Sequence, residues 1–221
     1  MKFESKLAER IASKKDGKRS WKTYACLVGA VFLVLNLTAS SLAAPSAVIH
    51  IGSKTAVVEY MGSFDGKANV VKFGLTLSTD SAFLRMPFKG HLSDLSSLSF
   101  SEFVEQTGGG TFEPYVVMLL PAGMSLICHP EDSYASSGWY LPFFEWQSRD
   151  LVSKGLWKAF PEESSSELKP LSSWIGTLGD PQITGIQLCV GQWTLLEPYA
   201  SLIGDLSING ALMNIANAKR I

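Results

Sequence analysis

The residue types in this chain best able to do chemistry are concentrated between positions 139 and 147, which read WYLPFFEWQ. Flat aromatic faces stack on sugar rings, because the axial C–H groups of a sugar are apolar and weakly positive. Trp139, Tyr140 and Trp146, with the Gln147 amide beside them for hydroxyl groups, are therefore the candidate ligand-binding residues. Trp157, Trp174 and Trp193 add aromatic rings further along. The competing use of such rings is to fill a core. Successive side chains on a strand point to opposite faces, so Phe143 and Glu145 would oppose Phe144 and Trp146, one set buried and the other available.

Two carboxylates facing each other across a groove could hydrolyse a glycosidic bond. Glu102, Glu105, Glu113, Glu131, Asp132, Glu145, Glu197 and Asp205 are the carboxylates to choose from. Glu145, beside Gln147 on the aromatic stretch, is the acid/base candidate, although no catalytic motif surrounds it. His50, His91 and His129 are scattered without an HxH or HExxH spacing, which argues against zinc. Oxygen ligands from Asp65, Asn69, Asp180 or Asp205 could gather at loop ends around calcium. The sequence contains no Gly-x-Ser-x-Gly elbow and no phosphate-binding loop.

These residues must be positioned by strands. From Val48 onward apolar residues recur with period two, as in Val71, Phe73, Leu75 and Leu77, with Lys72, Gly74 and Thr76 between them. The same alternation runs through Leu84, Met86 and Phe88, through Leu98 and Phe100, through Ile186, Leu188 and Val190, and through Leu206 and Ile208. The unbroken run PYVVMLLP predicts a central strand covered on both faces. Turn-forming clusters at 64–67, 108–110, 121–123, 136–138 and 179–181 separate the runs, the pattern of an all-β sandwich or barrel. Only SSLSFSEFVEQ and RDLVSKGLWKAF leave room for helix, and the region from Leu151 through PEESSSELKP reads as a long surface connection.

Charge divides the chain. Residues 1–22 carry eight Lys/Arg against three Asp/Glu, and the remaining eleven Lys/Arg, all beyond residue 44, face seventeen Asp/Glu. A basic head before the apolar run ACLVGAVFLVLNL predicts an export signal, its positive charges held on the cytoplasmic side. Residues 1–22 are then the basic n-region, 23–44 the signal h-region or membrane anchor, and 45–221 one globular domain. Ser41-Leu42-Ala43 fits the small-x-small rule for cleavage after Ala43 or Ala44, while about 20 residues would also suffice for an uncleaved anchor spanning the bilayer. The acidic balance beyond residue 44 argues against nucleic acid as a partner. Cys128 and Cys189 remain there as a pair. Alternation puts Cys189 on the face of Gln187 and Cys128 on that of Met124 and Leu126, so two free thiols are expected rather than a bridge.

The segments LSDLSSLSFSEF, PYVVMLL, the Trp-rich stretch, ITGIQLCVGQW and the closing SLIGDLSING occur in an order that resembles secreted jelly-roll domains, relatives of carbohydrate-binding modules and concanavalin-like lectins, over about Val48 to Gly210. The resemblance implies an antiparallel two-sheet jelly-roll sandwich behind an N-terminal signal or anchor helix. By analogy of fold it also implies a non-enzymatic extracellular or cell-surface module binding glycan or another surface partner, with no cofactor unless calcium. A polysaccharide hydrolase or lyase on the same sandwich, and a structural envelope protein without ligand, are the alternatives. The export reading has a direct check. Replacing Lys14, Lys15, Lys18, Arg19 and Lys22 by Glu reverses the orienting charge, so cell fractionation should find the variant retained in the cytoplasm; normal export would refute the signal.

Overall fold

The computed structural model describes residues 46–77, 79–107, 114–140, 144–161, 167–191 and 198–220. The basic head, the apolar segment and its cleavage site lie outside the described residues, as do Glu113, Phe143, Trp193 and Glu197. Among the described residues no helix is long and apolar enough to cross a membrane.

Period-two alternation becomes strand in each run that was read, except at two ends: Leu77 lies beyond its strand and is exposed, and Phe88 lies beyond the strand that ends at Met86. In β3 (Lys67–Leu75), Val71, Phe73 and Leu75 are buried while Lys72 and Gly74 lie half-buried on the other face. Asp65-Gly66, both at positive φ (47° and 76°), turn the chain from β2 (Val57–Phe64) into β3, and Asn209-Gly210 (50° and 75°) turn β14 (Tyr199–Ile208) into β15 (Ala211–Leu212). Such two-residue loops need positive φ twice to match the strand twist, which Asp-Gly and Asn-Gly tolerate. With β6 (Leu98–Thr107) and β9 (Gln147–Asp150), these strands form one sheet in the order β2-β3-β14-β6-β9, with β15 pairing to β14.

The second sheet has eight strands, β1 (Ser46–Ile51), β4 (Ser81–Met86), β7 (Tyr115–Leu119), β8 (Ser125–Cys128), β10 (Leu156–Phe160), β11 (Lys169–Pro170), β13 (Gly185–Gly191) and β16 (Asn214–Arg220). Its order is β11-β10-β8-β7-β13-β4-β1-β16. Among the described pairings only β1 with β16 is parallel. Short β5 (Gly90–His91) and β12 (Gln182–Ile183) pair with each other. The two large sheets share one core. Phe73, Phe100 and Ile203 from one side pack in the same cluster as Leu84, Met118, Leu126 and Leu188 from the other.

Three readings are corrected. SSLSFSEFVEQ is strand β6, not helix. The stretch after Asp150 is no surface connection: Leu151 and Trp157 are fully buried, the Trp157 indole N–H donates to the Leu151 carbonyl at 3.0 Å, and β10 joins the eight-stranded sheet. The chain crosses here from one sheet to the other, so its core residues follow no single strand's alternation. Gly155 permits the crossing, since a Cβ there would stand 2.4 Å from the Leu151 carbonyl oxygen. A helix that the strand periodicity did not reveal, α2 (Leu171–Leu178), follows β11 and buries Leu171 and Trp174; the shorter α1 (Tyr134–Ser137) precedes the aromatic stretch. Lastly, β7 is central, but Val117 and Leu119 are half-buried on its outer face rather than covered.

Asp80 ties two turns together. It is fully buried and accepts hydrogen bonds from Ser53 Oγ (2.6 Å), Thr55 Oγ1 (2.5 Å) and the amides of Thr76 and Leu77 (2.9 Å each). Burial alone would raise its pKa, but these four donors outweigh it and hold the carboxyl far below the ordinary carboxylate range. A depressed native pKa contributes stability above the unfolded-state value of about 3.9 and loses it as pH falls toward the native one. Asp80→Asn should therefore cost about 1–3 kcal/mol in urea unfolding at neutral pH. Its deficit relative to wild type should shrink below about pH 4; a deficit constant down to pH 2 would contradict this account.

Candidate ligand-binding groove

The outer face of the eight-stranded sheet carries a groove of about 830 Å³. That is within the range of small-molecule and saccharide sites. Its floor follows from strand register. Core residues Leu84, Leu188 and Val116 alternate with outward Phe83, Cys189 and Tyr115, and cross-strand pairing lays the outward residues in rows. One row runs His50, Phe83, Cys189, Tyr115 across four strands to His129 just beyond β8. Within it the rings of His50 and Phe83 stack at 4.3 Å and those of Tyr115 and His129 at 4.7 Å. The next row runs Arg85, Gln187, Val117, Ile127, Lys158. Beyond it Leu119 and Ser125 face each other, with Gly185 leaving a gap on one side and Phe160 closing the other.

Past Gln187 the face continues into a second depression of about 380 Å³, bordered by Val48, Arg85, Phe88, Lys89 and Gly185. The Arg85 guanidinium lies over Gly185, where an added Cβ would be 3.4 Å from its Nη2. Neither depression is lined by any described carboxylate.

The residues expected to bind ligand lie elsewhere. Trp139 is buried, with the Arg149 guanidinium over its ring at 5.2 Å, so it is core and not a sugar platform. Arg149, itself fully buried beside Phe100 on the inner face, donates through Nε to the equally buried Glu102 and through Nη2 to the Tyr140 carbonyl at 2.8 Å. Tyr140 is exposed and accepts at its hydroxyl from Gln147 Nε2 at 2.6 Å. Trp146 packs with Phe64 and Phe103 on the outer face of the six-stranded sheet, their centroids 5.6–6.5 Å apart. Glu145 and Phe144 are exposed on the bend before β9. These residues share no described surface with the groove.

The carboxylates are also accounted for. Glu102 serves Arg149, Glu105 pairs with Lys72 at 2.5 Å, Glu131 approaches His129 at 3.5 Å, and Asp132 approaches Lys158 at 3.8 Å. Asp65, Asn69 and Asp205 lie about the β2–β3 hairpin, and Asp180 lies beside Ser93. Asp205 is paired with Lys67 at 3.2 Å and accepts from the Ala68 amide, Asn69 accepts from the Tyr60 hydroxyl, Asp65 occupies the hairpin turn, and Asp180 accepts from the Ser93 amide and hydroxyl. The Ser93 bonds hold the Asp180 carboxyl below its usual range. Among the described residues no three His, Cys, Asp or Glu side chains gather as a metal site.

Arg85 and Gln187 were legible as wet-face residues between the apolar positions of their alternating runs; Tyr115, read within a strand covered on both faces, and Lys158, read within a surface connection, were not, nor was the alignment of these strands into one floor. Scanned against protein-family models, curated proteins and solved structures, the chain matches none of them.

Both described cysteines are free and buried, Cys128 in the core and Cys189 in the groove floor. Burial pushes the Cys189 thiol up to about 12 against the opposing hydrogen bond with Tyr115, and burial followed by the Asp132 charge pushes Cys128 higher still. The thiolate is the nucleophile, so burial of both thiols in the protonated form makes them poor targets for alkylation near neutral pH. Mass spectrometry after alkylation should find both cysteines unmodified in the folded protein and both labelled once it is unfolded without reductant. Rapid labelling of native Cys189, or a disulfide peptide, would overturn this.

Proposed function

We propose that this chain is an exported, membrane-targeted binding module of jelly-roll type that takes a glycan along the groove on its eight-stranded sheet. The groove is the observation that carries the reading. Phe83, Tyr115 and His129 line it from a rigid sheet, Phe83 stacked on the neighbouring His50 and Tyr115 on His129, with the Gln187 amide in the adjacent row beside Val117 and Ile127. Apolar ring faces with a few fixed polar groups suit a saccharide, which has apolar C–H faces and hydroxyl edges. The jelly-roll assignment draws support from consecutive strands that pass repeatedly between the two sheets. Export and membrane targeting draw support from the basic head and apolar run. A hydrolase reading is weaker, because a glycosidase needs two carboxylates about 5–10 Å apart at the cleaved bond.

A glycan array probed with the full-length protein in mild detergent tests the proposal. Bound glycans should remain intact in a reducing-sugar assay, and Phe83→Ala and Gln187→Ala should each weaken binding by about 1–3 kcal/mol. Absence of any binding would favour a structural envelope role. Sugar release would favour the hydrolase. Loss of binding through Tyr140→Ala and Trp146→Ala, with Phe83→Ala silent, would move the site to the aromatic stretch.

A further inference from the structure

We infer that the ligand of the groove is an acidic glycan, its carboxylate or sulfate groups met by Lys158 at one end and Arg85 at the other; this rests on the glycan reading of the groove. Charge carries the argument. The chain beyond residue 44 has eleven Lys/Arg against seventeen Asp/Glu, yet no described carboxylate lines either depression of this face. Register fixes where the cations stand. Lys158, Ile127, Val117, Gln187 and Arg85 occupy one row across five neighbouring strands. Four strand spacings put about 19 Å between the two ends. The row continues past Val48 to Lys219 on the edge strand β16.

Neither terminal cation is fully engaged. Arg85 is exposed and pairs with no carboxylate among the described residues, and its guanidinium lies on the floor over Gly185. Lys158 reaches Asp132 only at 3.8 Å, with both side chains about 30% exposed. An exposed pair so long contributes little, so a ligand anion can displace Asp132 from it. Guanidinium offers carboxylate and sulfate a planar fork, and ammonium offers a point charge. Gln187 between them, neutral and able to donate and accept, suits hydroxyl groups of the intervening sugars. The domain beyond residue 44 has a net negative charge, so affinity for a polyanion should come from these local cations and be sensitive to salt.

The test compares a polygalacturonate oligosaccharide, a sulfated galactan oligosaccharide and a neutral glucan oligosaccharide of equal length, titrated into the full-length protein in mild detergent at 50 and 300 mM NaCl. At least one anionic probe should bind tenfold or more tightly than the neutral one and lose most of that preference at the higher salt. Which anionic probe wins distinguishes carboxylate from sulfate. Arg85→Gln and Lys158→Gln should each lower anionic affinity about tenfold and glucan affinity much less, narrowing the anionic preference, whereas Phe83→Ala should weaken both alike. Circular dichroism should show the variants folded, since both cationic side chains reach solvent. Equal affinity for neutral and anionic probes, or charge variants without effect, would overturn this inference and leave the glycan reading standing. Failure of all three oligosaccharides would overturn both. Polyglutamate binding as tightly as the oligosaccharides, with the same dependence on Arg85 and Lys158, would replace the acidic glycan by an acidic peptide.

Discussion

Every feature of the groove follows from one constraint, the strict alternation of side chains across the strands of the eight-stranded sheet. Leu84, Val116 and Leu188 face the core because the opposing sheet offers a large apolar surface that covers them. Phe83, Tyr115 and Cys189 are then obliged to face outward, whatever their own preference. A slip of one residue in any of these strands would exchange core for groove, so the packing that folds the domain also aims its candidate site. The Asn-Gly and Asp-Gly hairpins set register in the six-stranded sheet on which this packing depends.

The six-stranded sheet spends its inner face differently. Beside Phe100 it buries Arg149 and Glu102, a pair whose desolvation is costly and is offset only where the remaining hydrogen-bonding groups are served. Arg149 also bonds the Tyr140 carbonyl and lies over the rings of Trp139 and Tyr134. One guanidinium thereby joins strand β9 to strand β6 and to the segment that enters the aromatic stretch. Replacing one partner would strand a buried charge, which makes the pair a fastening for this part of the chain and not a source of acid/base chemistry.

The two faces left to solvent differ in kind. On the six-stranded sheet Trp146, Phe64 and Phe103 pack on one another and Lys72 pairs with Glu105. On the eight-stranded sheet stacked rings sit beside a row with Arg85 unpaired among the described residues and no carboxylate along the depressions. A cation without a carboxylate partner has more to gain from an anionic ligand than one already paired.

Much of this architecture was legible in the residues themselves. The alternation in VKFGL, SAFLRM and GIQLCV identified strands and their buried faces, the Asp65-Gly66 cluster marked a turn, and the parity of Cys128 and Cys189 put the two thiols on opposite faces, because each of these depends only on neighbours a few positions away. Trp139 and Trp157 could not be read so, since whether a ring is core or platform depends on which sheet its strand joins and on what Arg149 and Leu151 do nearby. Nor could α2, whose burial of Trp174 beneath the sheet edge has no strand period to announce it. The candidate site was the least legible of all. Phe83, Tyr115, Lys158, Gln187 and Arg85 come from strands far apart in the chain, and only the non-consecutive order β10-β8-β7-β13-β4 brings them together, since local periodicity says which way a side chain points but not which strand lies beside it.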